Sequence, residues 1–331
     1  MNPTTPTTVA VLGGTGFFGR NICAAFQEAG YPVVSVGRTA AEPPPGCRAV
    51  RTDLTETDPR QLAALLREIG AATVVNAAGA LWAVDGVQLT EQQVTDGSLR
   101  LVENLLAALG ELATRPLLVH LGSTYEYGAQ PAGTLLTEDT PEHASAHYGA
   151  VKLAATRLVR EAARSGAVDA VTLRVTTSTG PWAPPASLLG RIAHGLAVRP
   201  DRLEIPALDG ERDFVDARDV AAAALAVAAK PRDSLPRDLY NIASGVSVPV
   251  ENAVDLLIET AKQDTDIVRL PRVASRADAE SVGAQRIDIR AAHEQLGWRP
   301  RYTLAESLAA LWDTLSQSSA TRPEPAISDH S

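Results

Sequence analysis

Thiols, lysines and aromatic rings are scarce in this sequence, and each scarcity closes off a class of protein. Cys23 and Cys47 are the only cysteines in 331 residues. Their spacing suits neither a zinc site nor a disulfide framework, so the chain reads as one made for a reduced, cytoplasmic setting. Aromatics make up 4% of the chain against 45% hydrophobic residues, which leaves a core built mainly of Ala, Val and Leu. No apolar run approaches the roughly 20 residues that a membrane helix needs. The opening stretch, Met1 to Thr8, has neither the basic nor the apolar region of a secretory signal. Basic charge is also in deficit: a formal net charge of −9 and a pI of about 5.2 argue against nucleic acid as a partner. A few arginines gathered in one cleft still suffice for a diphosphate. His120, His143, His147, His194 and His293 fall in no metal-ligand spacing, so no metal is expected.

What is there is an alternation of short β-branched runs with Ala/Leu-rich stretches of helical period, the signature of βαβ units around a parallel sheet. Strands are predicted at Thr8–Leu12, Val33–Val36, Ala49–Arg51, Ala72–Asn76, Leu117–Leu121 and Ala170–Val175. Helices are predicted over Gly16–Ala29, Pro59–Ile69, Thr90–Ala113 and Ala146–Arg164. Beyond Gly180 the rhythm loosens around Pro181, Pro184 and Pro185, with later helices at Leu188–Leu196, Ala217–Ala229, Val250–Ala261 and Leu304–Leu315. The expected fold is α/β: a Rossmann-type, doubly wound parallel sheet with a smaller C-terminal α/β substrate-binding cap. On this reading residues 1–180 are mainly dinucleotide-binding, with segments around 212–245 returning to that unit. Residues 181–315 are mainly cap, and 316–331 form a disordered Ser/Thr/Pro-rich tail.

The first strand runs into Gly13-Gly14-Thr15-Gly16-Phe17-Phe18-Gly19, a G-x-x-G-x-x-G turn between strand and helix. Gly13 permits the tight turn, Gly16 admits a pyrophosphate to the backbone, and Gly19 lets helix and strand pack closely. The phosphate charge then meets the free N–H groups at the helix start. An acid at the end of the second strand would select NAD by binding the adenosine ribose. Here Gly37-Arg38 stands instead, and an arginine accommodates the 2′-phosphate of NADP, so NADP(H) is expected over NAD(H). Asp53 and Leu54 are candidates to meet the adenine, with a helix cap as the other role for Asp53. The small residues Asn76-Ala77-Ala78-Gly79 would let the chain pass close to the cofactor.

Tyr148 and Lys152 stand at i and i+4, on one face of a predicted helix. Reducing a ketone by hydride leaves an alkoxide that needs a proton. A phenol serves as that acid and base only when a neighbouring cation brings its pKa down toward neutrality. Lys152 is the expected cation. Ser123, at the carboxyl end of the fifth strand, is placed to hydrogen-bond a substrate oxygen as charge develops on it, with Thr124 as the alternative hydroxyl. Glu126 and Asp139 read as solvated carboxylates, and Trp82, Trp182, Trp298 and Trp312 as packing residues.

With these residues in hand, the chain resembles an extended short-chain dehydrogenase/reductase of the NAD-dependent epimerase/dehydratase type, a family acting mostly on nucleotide-activated sugars. The resemblance runs from Gly13 to about Trp312. It rests on the glycine loop, Asn76-Ala77-Ala78-Gly79, Ser123/Tyr148/Lys152 and Arg174. Farther on it rests on Arg212-Asp213-Phe214-Val215-Asp216, Tyr240-Asn241-Ile242-Ala243-Ser244-Gly245 and Leu296-Gly297-Trp298-Arg299-Pro300. It implies a nucleotide-sugar substrate and a homodimer formed through the helices 90–113 and 146–164. It also implies diphosphate contacts from Arg212 and Arg276, with Arg191 and Thr177 as further substrate-side candidates.

Departures from the family pattern narrow the activity. The sugar dehydratases carry an Asp-Glu pair where this chain has Thr124-Tyr125, which speaks against dehydration. The redox epimerases usually carry an acid where Gly37-Arg38 stands. Thr177 replaces the family's asparagine before the diphosphate site, and Val94-Thr95 replaces an Asn-Val. The pattern is most similar to reductases of the 4-keto group of nucleoside-diphosphate deoxysugars, often in antibiotic pathways. A redox epimerase holding NAD, a reductase of a non-sugar carbonyl and an NADP-sensing regulator without turnover are the alternatives.

Overall fold

A computed structural model describes residues 7–38, 44–79, 83–84, 87–131, 133–144, 146–198, 200–231, 234–271 and 285–320. Its centre is a sheet of seven parallel strands: β1 (Val9–Leu12), β2 (Val33–Gly37), β3 (Arg48–Arg51), β4 (Thr73–Asn76), β5 (Leu117–Ser123), β6 (Asp169–Val175) and β7 (Leu239–Ile242). Their spatial order is β3-β2-β1-β4-β5-β6-β7. The chain runs outward from β1 to one edge and returns to build the other half from β4. The order therefore reverses between β1 and β4, where a crevice opens at the carboxyl ends of the strands. β1 and β4 are buried along their whole length, as a parallel sheet with both faces covered requires.

On one face, Ile22, Cys23 and Phe26 of helix α1 (Phe17–Glu28) pack with Ala221, Ala223 and Ala224 of the helix Ala217–Ala228. The alanines compensate for the few large aromatics. On the other face lie α2 (Pro59–Ile69), the helix Leu101–Gly110 and the helix His147–Arg164. Asp58 caps α2 in a reciprocal box with Gln61, with Pro59 at its first position. A third apolar cluster joins the helices Leu188–Ala197, Val250–Ala261 and Leu304–Ala320 with Phe214.

The predicted strands and helices of the sheet are present, with ends shifted by a residue or two. Two expectations need correction. The helix predicted over Thr90–Ala113 begins at Glu91, ends at Gly110, and is broken by a π-helical turn at Asp96–Arg100. The tail was expected from Ser316, yet the last helix continues to Ala320, and the rest of the expected tail lies outside the described residues. Trp82 lies outside the described residues. A strand expected near Arg202–Ile205 is present as Arg202–Pro206, while its partner Asp266–Leu270 and the pair Leu135–Leu136 with Arg286–Ile287 went unpredicted. The structure also brings the two cysteines together. They share a side-chain hydrogen bond, and Cys23 Sγ lies 3.9 Å from the Gly14 carbonyl oxygen.

Candidate active site

At the switch point the glycine loop folds tightly against its neighbours. Gly13 has φ +76°, and a Cβ there would lie 2.8 Å from the Ala78 Cα. A Cβ on Gly19 would drive into the Gly13 carbonyl oxygen. Neither position admits a side chain, so the loop passes under Ala77 and Ala78 while α1 abuts the sheet. Gly16 precedes α1 without any side-chain cap, and the first turn holds no acid. Its N–H groups are thus left for an anion, and these features fit a dinucleotide pyrophosphate. Thr15, Phe17 and Phe18 complete the loop, with the Thr15 carbonyl accepting from Arg20 Nε at 2.9 Å. Arg38 is exposed just past β2. Asp53 Oδ1 is engaged by the backbone N–H and hydroxyl of Thr55, at 2.9 and 2.7 Å, and Leu54 is buried. Asp53 is no helix cap, since Asp58 has that role. Asn76 ends β4 with its amide nitrogen 3.2 Å from His120 Nδ1, and Gly79 is exposed.

Across the crevice, β5 ends at Ser123, whose ladder partner Val175 stands two residues before Thr177. The Ser123 and Tyr148 side chains are hydrogen-bonded, so the structure brings together the hydroxyl and phenol expected from sequence. Ser123 rather than Thr124 makes this contact; the Thr124 side chain is only 1% exposed. Tyr125 meets Tyr148 edge to face, with centroids 5.8 Å apart. Lys152 is buried and donates to the Leu121 carbonyl oxygen at 2.6 Å.

That last contact adds to the expectation. One helix turn places Tyr148 and Lys152 on the same face, and the ammonium is anchored there to the end of β5. Burial pushes Tyr148 above the ordinary phenol range, and the hydrogen bond from Ser123 opposes the rise. Burial likewise lowers the Lys152 ammonium, with the Glu126 charge acting the other way.

Glu126 does need correction. Read from sequence as solvated, it is 0% exposed. Oε1 accepts from the Ser123 backbone N–H at 2.6 Å and from the Thr156 hydroxyl at 2.9 Å. Oε2 accepts from Arg174 Nε at 2.9 Å. Arg174, itself fully buried, also reaches Glu142 Oε1 at 2.5 Å and lies 4.3 Å over the Tyr127 ring. The missed signal was position: a glutamate three residues past a strand-end serine is within reach of that serine's own N–H. Asp139 is exposed as expected, and pairs with Arg237.

The substrate-side candidates are more dispersed. Thr177 opens the short strand Thr177–Thr179, which pairs with Phe214–Asp216. Arg212 is half-buried in the strand Glu211–Asp216, with Nη1 2.8 Å from the Glu211 carbonyl oxygen. Arg191 is exposed on the helix Leu188–Ala197. Arg276 lies outside the described residues. No cluster of three or more metal-ligating side chains occurs among the described residues.

Comparisons with known proteins identify the family and the fold. The profile of the NAD dependent epimerase/dehydratase family matches residues 9–243. The sequence is 39% identical over 319 residues to dTDP-6-deoxy-L-talose 4-dehydrogenase (NAD(P)(+)) of Kitasatospora kifunensis, covering 95% of this chain and 97% of that one. It is 26% identical over 214 residues to GDP-6-deoxy-D-mannose reductase of Pseudomonas aeruginosa, covering 63% and 68%. Among solved structures, MoeE5 in complex with UDP-glucose and NAD superposes with a TM-score of 0.78 at 26% identity, covering 95% of this chain and 100% of that chain. RMD of Pseudomonas aeruginosa, complexed with NADPH, shares the fold with a TM-score of 0.76 at 24% identity, covering 94% and 99%.

Proposed function

The chain belongs to the NAD-dependent epimerase/dehydratase family, and from that premise we propose that it reduces the 4-keto group of a nucleoside-diphosphate 6-deoxyhexose, thymidine diphosphate being the favoured carrier. It is an NAD(P)-dependent oxidoreductase of the extended short-chain type. The observation that carries the finer reading is the hydrogen-bonded Ser123–Tyr148 pair beside the buried Lys152, on the carboxyl edge of the sheet across from the glycine loop. The near full-length similarity to a protein named a dTDP-6-deoxy-L-talose 4-dehydrogenase supports the sugar, the carrier and the carbon. A dehydrogenase and a reductase are one site run in opposite directions.

When bound, NADPH supplies the hydride. The residues that would hold it are the loop Gly13–Gly19, Arg38 toward the 2′-phosphate, Leu54 and Asp53 near the adenine, and Asn76–Gly79 along the crevice. Ser123 would donate to the ketone oxygen and fix its direction. Tyr148 would give its phenolic proton to that oxygen as charge gathers there. Lys152 would hold a positive charge below the phenol, favouring the tyrosinate left after transfer. Tyr125, where a dehydratase would need an acid, leaves the site without the group for elimination. Thr177, Arg191, Arg212 and Arg276 are the proposed contacts to the sugar nucleotide, arginine suiting diphosphate through its fork. The reading includes a homodimer through the helices 90–113 and 146–164, supported by Leu158, 36% exposed on the second of them. Light scattering that finds one chain at micromolar concentration would remove the dimer.

The activity test follows NADPH and NADH consumption with a dTDP-4-keto-6-deoxyhexose. The expected result is turnover that prefers NADPH. Co-purified NAD with no net consumption would replace the reductase by an epimerase, and silence with both cofactors would sink this substrate.

A further inference from the structure

A carboxylate that is 0% exposed and takes donors from three different elements calls for an explanation beyond local capping. Glu126 reaches back to the Ser123 N–H, across to Thr156 on the helix that carries Tyr148 and Lys152, and sideways to Arg174 on β6. A glutamate serving only as a cap would sit in water, where the same contact to a backbone N–H is made at less desolvation cost.

We propose that Glu126 is a positioning residue for Ser123, Tyr148 and Lys152: its carboxylate ties the strand end bearing Ser123 to the helix bearing the other two and sets an acidic group beside Lys152. The proposal rests on the reductase reading for its kinetic test. Two links carry it. Oε1 holds Ser123 N–H and Thr156 Oγ1 together, at 2.6 and 2.9 Å, so the serine hydroxyl and the phenol are set relative to each other by one group. The charge balance is the second link. Lys152 and Arg174 are both buried basic groups, and burial raises the pKa of Glu126 while Arg174, the Ser123 N–H, Lys152 and Thr156 all act to hold its charge.

Every charged or titratable group around Glu126 has a stated place. Arg174 faces it from β6 and is shared with Glu142 from the loop before the helix. Tyr148 and Lys152 face it from the helix, and both feel its charge. Tyr127 follows it and lies under Arg174, while His120, on the strand before it, is held neutral by burial beside Lys152. The Glu126 charge raises the pKa of both Tyr148 and Lys152. Removing it lowers both, and in the reduction direction both must carry their protons. Activity should therefore be lost at a lower pH.

The decisive experiment compares the pH profiles of kcat/KM for the wild type, Glu126→Gln and Glu126→Asp. Glu126→Gln should move the alkaline limb down by roughly one unit. Glu126→Asp keeps the charge but draws it back from Ser123, so the limb stays and kcat falls roughly tenfold. A limb unmoved in Glu126→Gln overturns the charge assignment, and an unchanged kcat in Glu126→Asp overturns the positioning one. If Glu126→Gln does not fold, Glu126→Asp alone decides the positioning half. A readout free of the sugar separates this proposal from the reductase reading. The tyrosinate absorbance titration, wild type minus Tyr148→Phe with oxidised cofactor added, should have its midpoint lowered by Glu126→Gln even where no ketosugar turns over. A midpoint that does not move overturns the proposal.

Discussion

The parallel sheet and the region built on the third apolar cluster use different means to place function. In the sheet, position follows from backbone geometry: strands end in one plane, and whatever residue ends β1, β4 or β5 must face the crevice. In the other region, short strand pairs and helices hold Thr177, Arg191 and Arg212 on three separate elements. There the outcome depends on which way each long side chain turns. The first region constrains chemistry through the fold, whereas the second leaves specificity to individual side chains.

The largest expected effect tests the sheet side. Tyr148→Phe removes the proton donor, and kcat should fall by about 10²- to 10⁴-fold with cofactor affinity kept, as paired turnover and NADPH-binding measurements would show. Loss of cofactor affinity as well would mean that Tyr148 holds the ligand rather than serving only as its acid. Next comes Gly19→Ala. The added Cβ meets the Gly13 carbonyl, part of the backbone with no room to yield. It should cost roughly 1–3 kcal/mol in chemical denaturation and weaken NADPH binding in parallel. On the other side Arg212→Ala should raise KM for the nucleotide sugar by roughly tenfold while kcat stays within a factor of two, since one charge-assisted contact is worth about 1.5–3 kcal/mol. A fall in kcat instead would place Arg212 nearer the reacting carbon than the diphosphate. The smallest effect is a gain. Lys262 ends the helix Val250–Ala261 at φ 49°, a left-handed conformation that favours glycine. Lys262→Gly should add about 1 kcal/mol of stability in a thermal or denaturant melt, with no change in kinetics.

The same contrast explains what the sequence disclosed. The hydrophobic runs of β1 and β4, the glycines before α1 and the Tyr148/Lys152 spacing each follow a local rule, and each was readable from one strand or one turn. Glu126 was misread because its burial comes from Arg174 and Thr156, 48 and 30 residues away along the chain. No local pattern announces such a partner. The anchoring of Lys152 to the Leu121 carbonyl was not legible either, since spacing fixes the face of a side chain and leaves its hydrogen-bond acceptor to the neighbouring strand. The meeting of Cys23 and Cys47 was likewise set by how α1 packs beside the approach to β3, a tertiary contact that residue spacing does not encode.

The π-turn at Asp96–Arg100 has an evolutionary side. A π-turn holds one residue more than the α-turn it interrupts. Its two flanks, Glu91–Thr95 and Leu101–Gly110, are therefore out of phase by about 100° relative to a continuous α-helix. Thr95, on the first flank, lies 3.4 Å from Nε2 of His147, the residue before Tyr148. Loss of a single codon in this stretch would regularise the helix and swing Thr95 away from His147 while leaving the buried Leu101, Leu105 and Leu109 in place. The turn thus makes the surroundings of the phenol sensitive to a one-residue change in length, a kind of variation that substitution alone does not reach.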